Sequence, residues 1–170
     1  MELEACPGCH ALFKPSDGPT HRYIGASSGC WDLYTRLLSG APPIAPSGSG
    51  ALLVDAYASQ HPGGRSPQAT QSVAVHLIVL EGVLGHGARH EDAIRMRVAA
   101  VELGRSNSGY PKLEPEPERW DLTLLEVVGA PDAGVRGEIA ARYVETVWSS
   151  WRESHSETIS NWYKRVWSGG

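Results

Sequence analysis

Apolar residues recur along most of this chain at helical spacing. The clearest run is the last: Val135, Ile139, Tyr143, Val147, Trp151, His155, Ile159, Trp162 and Val166 fall three or four apart and predict one long helix from about Val135 to Val166. Ala51 to His61 reads as a shorter helix that Pro62 and the following glycines terminate. Thr70 to Leu84 carries Val73, Leu77, Leu80 and Leu84 on one face; its β-branched run would suit a buried strand, but its length favours a buried helix. His90 to Leu103 is amphipathic and is stopped by Gly104 and the polar turn ending at Gly109. Leu122 to Val128 predicts a short helix, and Trp31, Tyr34 and Leu38 mark another over Trp31 to Leu38.

Between these lie segments without periodicity. Gly40 to Gly50 and residues 110–119 are too rich in Pro and Gly for regular structure. Residues 1–31 are dominated by Gly, Pro, Ser and Cys and cannot bury a core of their own. The predicted fold class is therefore all-α: a small helical bundle with a zinc-tied, irregular N-terminal lobe. A single domain over 1–170 is expected, divided into a zinc-knuckle lobe (1–39), a linker loop (40–50) and a helical body (51–170).

Charge narrows the partners. The 170 residues carry a formal net charge of −4, and the basic ones are scattered rather than clustered. A nucleic-acid surface needs a concentrated basic face, so no nucleic-acid partner is expected. The longest apolar stretch, Val73 to Leu80, is interrupted by His76 and is too short to cross a bilayer. The acidic start, Met1 to Ala5, has no apolar signal-peptide core. A cytoplasmic protein with no membrane partner is the expectation.

All three cysteines lie in the irregular first segment. Cys6-Pro7-Gly8-Cys9 places two thiols on one turn, and Cys30 can close the set from a distance. An odd number of cysteines does not make a disulfide framework, whereas zinc takes mixed sulfur and imidazole ligands. Cys6, Cys9 and Cys30 supply three ligands to a structural zinc ion. His21, between the knuckle and Cys30, is the expected fourth, with His10 or a water as rivals. The sequence Cys6 to His10 also fits a haem-attachment pattern, but covalent haem belongs to an exported compartment. A redox pair would need a βαβ context that the pattern does not supply.

A second polar cluster sits where two predicted helices would form a hairpin. Asp55, Tyr57, Gln60 and His61 end one helix; Gln71, Ser72 and His76 begin the next. His76 lies among Val73, Val75, Leu77 and Ile78, so its imidazole needs a partner, which Asp55 or Tyr57 could supply. His61, His76, Asp55 and Tyr57 form the candidate catalytic set: two imidazoles for acid–base work, a carboxylate to orient one of them, and a phenol. Gln60 and Gln71 would position a small-molecule substrate. The bland reading is a hydrogen-bonded network that pins the hairpin. His86 and His90 flank a Gly-containing turn and are expected to be solvated; His155, on the apolar face of the last helix, reads as a core residue.

Several of these motifs occur together in a fixed order: Cys6-Pro7-Gly8-Cys9, Asp17 to His21, Gly29-Cys30-Trp31, Val54 to Tyr57, Gln60-His61-Pro62-Gly63, Gln71 to Leu77 and Leu113-Glu114-Pro115. In this the chain resembles the bacterial domain-of-unknown-function family 5946, over nearly its whole length. The resemblance implies a shared fold and a single design joining the knuckle to the hairpin cluster. It implies no reaction. Together the readings point to a zinc-stabilised helical protein doing acid–base chemistry on a small molecule, or to a zinc-bearing interaction or regulatory module.

Overall fold

The computed structural model describes residues 2–168, so Met1, Gly169 and Gly170 of the expected domain lie outside the described residues. Its architecture is all-helical, as the periodicity predicts, with six α-helices among the described residues. The only sheet described is a two-stranded antiparallel one, β1 (Glu4–Ala5) with β2 (Leu12–Phe13), which pairs Glu4 with Phe13 on either side of the Cys6–Cys9 knuckle.

The helices start where polar side chains satisfy their free amides. In α1 (Ser28–Leu38) the Ser27 hydroxyl accepts from the Cys30 amide at 3.3 Å. The helix therefore begins three residues before the expected Trp31 and places Cys30 in its first turn. A 3-10 turn (Gly48–Leu52) leads into α2 (Leu53–Gln60), which ends at His61-Pro62 as expected. In α3 (Pro67–Leu80) Ser66 caps the Ala69 amide at 3.1 Å and Pro67 opens the first turn, three residues ahead of the expected Thr70. Its far end continues through the expected Leu84, loosened into a π turn (Glu81–Gly85). A 3-10 turn (His90–Asp92) introduces α4 (Ala93–Ser106). Thr123 and Glu126 form a capping box for α5 (Leu124–Val128), and Asp132 caps α6 (Ala133–Val166).

Helix α6 is the spine. Its apolar stripe buries Tyr143, Val144, Val147, Trp151, Ile159 and Trp162 against α2 and α3. The stripe is interrupted at His155, where the backbone leaves helical geometry (φ −133°, ψ 16°) and the ring bonds the Pro115 carbonyl at 2.8 Å. His155 is a satisfied core residue. His86 is exposed, as expected, and its ring also stacks on Tyr163 with ring centroids 4.5 Å apart and contacts Ser160 and the buried Glu81 carboxylate.

The segment 40–50 does not hang free between two halves. Arg136 of α6 donates to the Pro43 carbonyl at 2.6 Å and to the Ala130 carbonyl at 2.8 Å, and the Ala45 amide donates to Ala133 at 3.0 Å. Its prolines cannot form helix, but its carbonyls can still accept from a buried guanidinium. No helix among the described residues is long and apolar enough to cross a membrane.

Candidate metal centre and the neighbouring groove

Three segments converge on the knuckle. The Cys6–Cys9 turn is closed by backbone bonds from Cys6 to Ala11 and from His10 to Cys6, both 2.9 Å. Helix α1 brings in Cys30. The end of α2 arrives because the Gly25 amide donates to the His61 carbonyl at 2.9 Å and Ile24 bridges to Pro62. The ligand atoms of Cys6, Cys9, Cys30 and His61 all lie within 4.8 Å of one another, and all four residues are buried; this group could hold a metal ion.

The local bonding prepares each donor. The His61 Nδ1–H donates to the Tyr57 carbonyl at 2.7 Å, which leaves the Nε2 lone pair facing Cys30 Sγ at 3.3 Å. Fixing one ring nitrogen in this way sets the tautomer that a metal ligand requires. The Ser27 amide donates to Cys6 Sγ at 3.4 Å, and the Tyr57 hydroxyl sits 3.4 Å from Cys30 Sγ. Tyr34 stacks on Tyr57 at 3.8 Å and screens this wall from water.

The sulfurs cannot all ionise unaided. Hydrogen bonding from Cys30, and then from Cys9, holds the Cys6 thiol well below the ordinary thiol range. The same contacts with Cys6 and Cys9, with burial added, push Cys30 far up. At Cys9 the bond with Cys30 pulls down, but the bond with Cys6 and burial prevail and push it to about 12. With the Cys9 and Cys30 thiols both raised, a divalent cation would reverse the penalty on ionising them.

Gly8 is required by the approach of α2. A Cβ there would fall 2.7 Å from the His61 Cα and 2.8 Å from the Gly25 carbonyl oxygen. Gly8→Ala should therefore push His61 off the sulfurs and cost roughly 1–3 kcal/mol in urea unfolding, with reduced metal retention in the folded fraction. The knuckle is also held from outside the lobe: the Trp120 indole N–H donates to the Gly8 carbonyl at 2.9 Å.

The expected ligands are therefore partly redistributed. Cys6, Cys9 and Cys30 come together as their spacing suggested. His21 does not join them: it is exposed, and its Nδ1 accepts from the Tyr23 amide at 3.1 Å, a local turn that points the ring toward Trp31. His10 is also exposed, with a positive φ of 64° that turns the chain out of the knuckle. His61, assigned to acid–base work from its place in the hairpin, lies beside the sulfurs instead, with Tyr57 behind it.

The remaining hairpin residues separate. Gln60 is fully buried and both ends are used, its amide donating to Leu122 and its oxygen accepting from Tyr143 at 2.9 Å, so it faces no substrate. Asp55 and His76 do meet: the His76 Nδ1–H donates to Asp55 at 2.8 Å. The other partner of Asp55 is Arg97 of α4, whose Nε donates at 2.8 Å and whose Nη2 reaches the second oxygen. Nothing in the sequence pairs Arg97 with Asp55; only the α2–α3–α4 packing does. Burial would raise the Asp55 carboxyl, but hydrogen bonds from Arg97 and His76 outweigh it and hold it below its usual 3.8.

The Asp55 side chain is wholly inaccessible, whereas 19% of the His76 side chain is exposed. That exposure opens on a groove of about 480 Å³ between α3 and α4, which Gln71, Val75, Val101 and Arg105 line together with Tyr23 from the N-terminal lobe. Gln71 lines the groove, and His61 does not.

No curated protein and no solved structure matches the chain. The model of the Family of unknown function (DUF5946) matches residues 4–152, and the chain belongs to that family.

Proposed function

We propose that this protein is a zinc-stabilised helical enzyme, with zinc held by Cys6, Cys9, Cys30 and His61 and acid–base chemistry performed by the Asp55–His76 pair on a small molecule in the adjoining groove. Zinc suits the donor set, because this borderline-soft ion takes three thiolates with one imidazole as a closed structural site. A tetrahedral zinc bonded at about 2.3 Å to sulfur and about 2.0 Å to nitrogen sets neighbouring donors about 3.5–3.8 Å apart. The Cys9–Cys30 separation of 4.0 Å and the Cys30–His61 separation of 3.3 Å bracket that range. A set of four buried donors leaves no position for substrate, so the metal's role is to tie the N-terminal lobe to α2. Three such thiols favour a reducing compartment such as the cytoplasm.

The observation that carries the catalytic reading is the Asp55–His76 bond at the edge of the groove. A buried carboxylate fixes the imidazole through Nδ1–H and leaves Nε2 on the accessible side. Nε2 can then take a proton from a bound molecule, and the ionised Asp55 stabilises the imidazolium that results. Incubating the protein with a soluble metabolite extract, followed by mass spectrometry, tests this. Wild type should consume a metabolite that His76→Gln consumes at least about 100-fold more slowly, as expected for a general base.

A second reading has an observation of its own. Arg97 occupies both oxygens of Asp55, so the Arg97–Asp55–His76 network also ties α2, α3 and α4 together. In a non-enzymatic zinc-bearing interaction module that would be its whole purpose, and wild type and His76→Gln would leave the extract equally unchanged.

A further inference from the structure

The groove beside His76 carries a directional pattern of charge. No Asp or Glu lines it among the described residues, and its one full charge is Arg105, which forms no ion pair among them. Near Arg105 the Gln71 amide lies over the bare backbone of Gly104, where a Cβ would fall 1.8 Å from Nε2. That Nε2 has no hydrogen-bond partner, so a buried donor is left unsatisfied. Pro67 and Gln68, from the first turn of α3, line the same end and add the partial positive charge of a helix N-terminus. Val75 and Val101 supply an apolar wall between this end and His76.

From these features, and resting on the acid–base reading above, we infer that the groove takes a small organic carboxylate. Its carboxylate would lie between Arg105 and the Gln71 amide, its hydrocarbon part on Val75 and Val101, and its reacting atom at His76 Nε2. Arg105 offers a planar fork matched to a carboxylate, and the unsatisfied Gln71 donor gains an acceptor. The helix sets the length of the molecule. Gln71 and His76 are five residues apart on α3, which at about 1.5 Å per residue is about 7.5 Å along the axis. A short-chain aliphatic acid spans that distance; a bare inorganic anion does not.

Sodium hexanoate and its uncharged amide, hexanamide, are the probes, titrated into isotopically labelled protein and followed by NMR at the His76 ring and the Val75 and Val101 methyls. Hexanoate should shift all three saturably. Arg105→Gln, a change at an exposed position that leaves the core intact, should weaken hexanoate at least tenfold, and hexanamide should bind wild type no better than hexanoate binds that variant. Equal binding of acid and amide, unchanged hexanoate binding in Arg105→Gln, or no shift at the groove would each overturn the assignment. His76→Gln separates this inference from the catalytic reading. Hexanoate bound by that variant and by wild type, with no turnover of the extract by either, would sink catalysis alone. Turnover that depends on His76, in a protein that ignores hexanoate, would sink the carboxylate assignment alone.

Discussion

His61→Ala is expected to strip the metal from the protein, while His21→Ala keeps one metal ion per chain. The two histidines are separated by environment: His61 is fully buried with Nε2 facing a sulfur, and His21 is exposed with Nδ1 engaged by its own turn. Outer partners of metal ligands are typically worth about 10–100-fold in affinity, so loss of His61 itself should cost more than about 100-fold. Elemental mass spectrometry after dialysis against a mild chelator reads this directly. His61→Cys, which restores a fourth soft ligand, should recover much of the bound metal and so distinguish lost ligation from a cavity. Metal retained in His61→Ala and lost in His21→Ala would reverse the assignment of the fourth ligand.

The consequence for folding should be large, because the metal would join all three cysteines of the N-terminal segment to the end of α2. Metal-free protein should lose the order of residues 4–31 while α3, α4 and α6 persist, since the long helix packs on its own apolar stripe. Protection of backbone amides in hydrogen exchange would show the difference: Gly25 and Ser27 unprotected without metal, Val144 and Val147 still slow.

The second large effect is expected at Asp55. Asp55→Ala leaves the Arg97 guanidinium without its carboxylate and His76 without the acceptor for Nδ1–H. Breaking a buried pair on one side costs about 3–5 kcal/mol, and the partial exposure of Arg97 puts this case near about 3 kcal/mol at neutral pH, read from urea unfolding. The effect has a definite pH dependence. The folded carboxyl titrates below 3.8 and the unfolded one close to that value, so the unfolded chain binds the proton first as pH falls. The stabilisation is therefore fully present above about pH 4–5 and fades as pH falls through the lower folded value. The gap between wild type and Asp55→Ala should shrink on that acid limb, and a gap that persists unchanged at acid pH would mean the carboxylate charge is not what stabilises.

Much of this protein follows from its sequence. Helical periodicity, with Pro62 as a break, places α2, α3, α4 and the long α6, because a 3.6-residue repeat of apolar positions is a local signal. Gly104, the expected stop of α4, lies inside that helix, which runs on to Ser106. Two of the errors at helix starts share a cause: Ser27 and Ser66 begin their helices three residues before the apolar pattern does, since a cap acts outside the stripe it initiates. The thiol set was legible as well, because the two cysteines of a knuckle are neighbours on one turn and Cys30 is the only other sulfur donor of its type. Asp55 and His76 could be paired because a short hairpin brings successive helices level.

What crosses long stretches of chain was not legible. The choice of His61 over His21 depends on the bridge between Ile24 and Pro62, an arrangement that no spacing rule contains. Arg97 reaches Asp55 from 42 residues away, Trp120 closes the knuckle from 112 residues away, and Tyr143 takes the oxygen of Gln60 from 83 residues away. Each is a polar group buried by packing, which must then find whatever partner the fold presents. Sequence determined which helices form and which thiols can meet. Tertiary structure decided which imidazole faces them and which one opens on the groove, because a side chain's chemistry is set by its neighbours in space.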